Sequence, residues 1–190
     1  ALIGTILPNY AGYQAAIFLP SGILSIAISA VPMVTYPIAL AMGLEKFQAL
    51  RLMGLIAGLI GVPLLILPDT SLPDPSMAIF IPLAFIGPIF YALEGNIVAK
   101  YGTAGTGPIE LLLGVSLVGM VICLPLALMT GVWISPLPPY GIADGALVLA
   151  SVLHAVVYAT YVWLISRAGS VFAAQVAYVV TVSGVFWAMI

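Results

Sequence analysis

Residues 21–66 read SGILSIAISAVPMVTYPIALAMGLEKFQALRLMGLIAGLIGVPLLI. Two apolar runs, 21–43 and 47–67, flank a short polar joint that carries Glu45 and Lys46, with Arg51 just beyond it. At 1.5 Å per residue, a run of about 20 residues crosses a hydrocarbon core of about 30 Å. Neither run alternates apolar and polar residues with period two, as a barrel strand would. In lipid every backbone polar group must be satisfied internally, so such runs are helices.

The pattern repeats outward from this stretch. Apolar segments cover roughly 1–18, 21–43, 47–67, 77–99, 108–130, 144–166 and 169–190. The 190 residues are 64% hydrophobic and 5% charged, with a mean hydropathy of +1.28. A soluble domain carries about 25% charged residues to cover its surface. The expected fold is therefore an all-α polytopic membrane bundle of about seven helices. Both ends of the sequence fall inside apolar runs without charged flanks, so a chain truncated at both ends is expected.

Pro and Gly clusters mark the joints: LPSG at 19–22, LPDTSLPDPS at 67–76, YGTAGTGP at 101–108, SPLPPYG at 135–141 and RAG at 167–169. Counting crossings puts all four cations, Lys46, Arg51, Lys100 and Arg167, on one side. The opposite loops hold Asp69, Asp74 and Asp144 and no cation. The positive-inside rule makes the first side cytoplasmic. A net charge of −2 offers no basic patch for nucleic acid. Cys123 is alone in an apolar run and reads as a small buried hydrophobe. One Cys and one His supply neither an internal disulfide nor a metal site. No cofactor motif is present. Gly54, Gly58 and Gly61 lie on one face of the third segment, where small residues admit a neighbouring helix.

The same stretch resembles the EamA repeat of the drug/metabolite transporter superfamily. The likeness lies in Pro32 within an apolar helix, the MGLEKF joint with Glu45, and the glycines 54, 58 and 61 that follow. AQVAYVVTVSGVFWAM at 174–189 looks like the corresponding helix of a second repeat. YALEGNIVAKYG and YVWLISRAG look like the ends of that repeat's first and third helices. The resemblance implies inverted five-helix repeats and a bacterial inner-membrane permease that exports metabolites by alternating access. On that pattern the chain is similar to helices three to nine of ten. Residues 1–67 would close the first repeat, 68–76 would form an extracytoplasmic loop, and 77–190 would be a second repeat lacking its last helix.

Function then rests on the polar residues within the segments. Glu94 lies six residues before Lys100, roughly 9 Å inward. A charge at the bilayer centre costs about 2.5–3.5 kcal/mol, and less nearer its edge. Glu94 is either a packed interfacial carboxylate or the wall of a cavity that binds substrate or a proton. His154 lies mid-segment and shares a helix face with Ser151, Tyr158 and Tyr161. It is either satisfied by a neighbouring helix or part of the same cavity, where it would be a second candidate for proton coupling. Asn96 reads as glue between helices. Gln175, Tyr178 and Thr181 form one polar face, Ser25, Ser29, Pro32 and Tyr36 a second, and Asn9 with Tyr13 a third. Five helices with one polar face each predict a shared wet cavity. Glu45 and Glu110 read as structural.

The leading expectation is a carrier of a small neutral, zwitterionic or cationic metabolite, such as an amino acid or a drug-like amine. Multiply anionic substrates are disfavoured because every cation lies at a helix end. The alternatives are a membrane scaffold and, behind it, an intramembrane enzyme. The enzyme reading is weak, because Ser183 in TVSG lacks the first glycine of a GxSG motif and no HExxH is present.

Overall fold

The structure, a computed structural model, describes residues 1–66, 74–135 and 137–189, leaving aside the side chains of 59 and 61–66. A π-helical turn, Leu2–Ile6, leads into α1 (Leu7–Phe18). Leu19 is extended ahead of Pro20, as a residue before proline must be, and this ends α1. α2 (Ser21–Ile28) and α3 (Ala30–Ala41) continue one another through Ser29. α4 (Ala49–Ile66) follows the Glu45–Lys46 joint. A 3₁₀ turn, Pro75–Phe80, opens α5 (Ile81–Tyr101), and then come α6 (Pro108–Thr130) and α7 (Ile142–Ala168). α8 (Ser170–Ala174) and α9 (Val176–Ala188) continue one another through Gln175.

The described residues are helical with no strand. Five helices are long and apolar enough to cross a membrane: Ser21–Ala41, Pro75–Tyr101, Pro108–Thr130, Ile142–Ala168 and Ser170–Ala188. The first and third segments also form helices, but fall outside that set. α1 has 12 residues, a rise of about 18 Å. The loop expected at 68–76 lies outside the described residues except for its end. There Asp74 caps the 3₁₀ turn by accepting from the Ser76 backbone N–H at 2.8 Å, which holds its carboxyl below the ordinary pKa.

The core is built from small residues. Ala15, Ala27, Ala39, Ala92, Ala173 and Ala174 are essentially inaccessible. They allow backbones to approach closely, the main source of helix association in lipid. α5 lies at the centre, against α1 and α3 and touching α7 and α8. α2 packs along α9 and α3 along α8, so the two continued helices lie antiparallel. Asn96 ties this core together. Its amide donates to Thr35 O (3.1 Å) and Ala92 O (2.9 Å), and its Oδ1 accepts from Ser170 Oγ (2.8 Å). Thus α5 is joined to α3 and α8, in keeping with the glue read from the sequence.

All four cations gather at one end of the bundle. Lys100 Nζ donates to Met42 O at 3.1 Å, and Arg51 pairs with Glu45 at 2.9 Å. Arg167 ends α7 beside the start of α8, over the Trp163 ring. Glu110 and Asp144 each accept from the backbone N–H three residues upstream at 2.7 Å, closing helix N-termini as expected of Glu110.

Two expectations need correction. Cys123 is exposed, because no residue of α6 is buried; that helix packs chiefly on α7. The glycine face of α4 is only half used. A Cβ on Gly58 would meet the Met33 Cε at 2.6 Å, whereas one on Gly54 would meet nothing within 4 Å. Gly61 lies outside the described side chains.

Candidate functional site

The α5 face holds Tyr91 and Glu94 at i and i+3, and the α7 face holds His154, Tyr158 and Tyr161 at i, i+4 and i+7. The two faces meet around a cavity of about 210 Å³. Tyr158 Oη donates to Glu94 Oε1 at 2.8 Å. The His154 ring lies over Tyr158 at a centroid distance of 6.1 Å and an angle of 27°. Tyr161 closes the wall near Gly95, where an added Cβ would lie 3.8 Å from its hydroxyl. The π-helical turn covers the carboxylate from the opposite side. A Cβ on Gly4 would collide with the carboxyl group of Glu94.

A second chamber, of about 350 Å³, adjoins the first. Tyr91 and Val180 line both. Tyr91 Oη donates to Asn9 Oδ1 at 3.1 Å, which fixes the dividing ring. α1 lies against Gly87 here, where an added Cβ would make an ordinary contact 3.6 Å from Pro8 O.

The candidates read from the sequence are therefore divided. Glu94, His154 and Tyr158 share the first cavity, and Asn9 lines the second. Pro32, Tyr36, Gln175 and Tyr178 line a separate cleft of about 460 Å³ at the cation-bearing end, together with the Glu45–Arg51 pair. There the buried Tyr36 hydroxyl accepts from Gln48 N at 2.8 Å, anchoring the α3–α4 joint. Ser29 Oγ donates to Ile26 O at 2.6 Å. Thr181 Oγ1 lies 2.8 Å from Ser25 O and 2.9 Å from Ala177 O, bridging α9 to α2. These two hydroxyls face backbone carbonyls and line none of the three spaces described.

Sequence reasoning passed over Gly4 and Tyr91. Tyr91 was detectable, because it stands three residues before Glu94 on the same helix face. Gly4 carried no signal, since its role comes from the approach of a separate segment.

The first cavity sets the Glu94 carboxylate and the His154 imidazole in one wall. Among the described residues its lining holds one carboxylate and no Lys or Arg. The ion pair found among them, Arg51–Glu45, is at the other site. No group of three or more His, Cys, Asp or Glu side chains is placed to hold a metal among these residues. No family model, no curated protein and no solved structure matches the chain.

Proposed function

We propose that this chain belongs to a multi-pass membrane carrier of the drug/metabolite transporter type. On this reading it exports a small neutral, zwitterionic or cationic metabolite by alternating access, with Glu94 as the group that binds substrate or proton. The observation that supports it most is the Glu94 carboxylate, which faces a cavity and is held by a neutral phenol instead of a cation. An ionisable side chain within an apolar helix is costly and marks a substrate or proton path. The bond from Tyr158 suits a packed structural carboxylate as well, and it is the cavity beside it, with His154 and Tyr161 in its wall, that favours the transport reading.

The antiparallel lie of α2–α3 against α8–α9 also fits an inverted-repeat carrier, in which the solute site lies where the repeats meet. Ser29 N and Gln175 N each donate to the carbonyl three residues back at 3.0 Å, so both helices tighten locally. With the cations at the cytoplasmic face, the chain would sit in a bacterial inner membrane. It carries no catalytic role on this reading.

The test is export. Cells expressing the wild type should enrich a compound in the medium, as read by untargeted mass spectrometry, and Glu94→Gln should abolish that enrichment at unchanged expression. Transport by the wild type should vary with pH and that by Glu94→Gln should not. Normal flux in both Glu94→Gln and His154→Ala would sink the assignment.

A further inference from the structure

We propose that the Glu94 cavity is an aromatic cage for a small organic ammonium headgroup. This rests on the carrier reading and narrows its substrate class to cations. The starting point is charge. The lining offers one carboxylate and no cationic side chain among the described residues. A zwitterion could place its ammonium against Glu94, but its own carboxylate would find no Lys or Arg in the lining, only the His154 imidazole that stacks on Tyr158. An anion would meet the Glu94 carboxylate with no Lys or Arg in the lining to offset it.

The rings supply the second argument. Tyr91, Tyr158, Tyr161 and His154 all line the same cavity as Glu94. A cation over an aromatic face is attracted by the ring quadrupole, and more strongly once both are out of water. Several rings around one anionic group form the arrangement that recognises methylated ammonium. The 2.8 Å bond from Tyr158 fixes the position of the carboxylate, so it need not be ordered when the ligand arrives.

Size is the third. The cavity, about 210 Å³, is smaller than the roughly 300–1,000 Å³ of sites for drug-sized ligands. The adjoining chamber shares Tyr91 and is mostly apolar, with Pro8, Ala84 and Val180 in its wall. The headgroup would fill the first space and a short uncharged tail would extend into the second.

Four probes of similar shape separate charge from size: tetramethylammonium, choline, its zwitterionic carboxylate betaine, and the neutral isostere 3,3-dimethylbutan-1-ol. Binding would be measured on the purified full-length gene product with radiolabelled choline, the other three serving as competitors. Choline and tetramethylammonium should bind, and betaine and the alcohol should compete at least about tenfold more weakly. Glu94→Gln should abolish choline binding. Tyr161→Leu should weaken it about tenfold, while Tyr161→Phe, which keeps the ring, should change it less than about twofold.

Equal competition by the neutral alcohol would overturn the cage, as would equal effects of Leu and Phe at position 161. Failure of choline and tetramethylammonium to bind, while export remains dependent on Glu94, would overturn the cage and leave the carrier reading intact. Choline binding by a protein whose export ignores Glu94→Gln would uphold the cage and remove the carrier role.

Discussion

At the residue scale, the Glu94 carboxylate is positioned by two neighbours of opposite kind. Tyr158 holds it by a hydrogen bond, and Gly4 leaves room for it. Gly4→Ala would put a methyl group where the carboxyl now sits, so the side chain must swing away and lose Tyr158. The expected result is loss of Glu94-dependent transport with little loss of protein, which a transport assay paired with immunoblotting would read. Tyr158→Phe removes only the bond and should lower activity less than Gly4→Ala does. Asn96 is a different case, since it is fully buried and all its contacts are structural. Asn96→Ala leaves the Ser170 hydroxyl without its partner and removes the amide that ties α5 to the Thr35 carbonyl of α3. The expected cost is about 1–2 kcal/mol, measurable as a lowered unfolding midpoint in detergent. The hub was legible in the sequence as a lone amide in an apolar run. Its partners were not, because they come from segments 61 and 74 residues away.

At the element scale, helix faces depend on where small residues allow contact. α2 and α9 meet at Ser25 and Gly184, where an added Cβ would collide with the Ser25 hydroxyl and lie 2.8 Å from its Cβ. Gly58 also meets a side chain, but at the flexible end of Met33. Gly184→Ala should therefore destabilise by about 1–3 kcal/mol, as overpacking does, and Gly58→Ala by much less. Equal melting shifts for the two variants would contradict this difference. The joints and segment boundaries were readable because Pro, Gly and charge interrupt the apolar runs. The division of polar residues between the first cavity and the cleft was not. Periodicity groups the residues that share one side of a helix, as it does for His154, Tyr158 and Tyr161 on α7, but it does not say which neighbouring helix that side meets. Ser29, Pro32 and Tyr36 share a helix with the Val31 that lines the Glu94 cavity, yet Pro32 and Tyr36 turn toward the cleft. Only the crossing of α3 over α8 decides which side chain faces which space.

At the scale of the whole molecule, the charge distribution becomes a statement about orientation. Lys46, Arg51, Lys100 and Arg167 stand at one end, and the link between α6 and α7, with Asp144, stands at the other. On the carrier reading the first end is cytoplasmic, because cations in short loops resist translocation. Cys123 must first be removed as Cys123→Ala; it lies within α6 and is exposed. In that background, Leu137→Cys places a thiol on the α6–α7 link and Phe47→Cys places one in the α3–α4 joint, both at exposed positions. A membrane-impermeant maleimide should label Leu137→Cys in intact cells and Phe47→Cys only after permeabilisation. The reverse pattern would invert the chain. It would then put the Glu45–Arg51 cleft outside and the α6–α7 link inside, and the direction assigned to transport would have to be reversed with it. Labelling of both positions in intact cells would mean that the chain does not keep one orientation, and the positive-inside argument would fail with it.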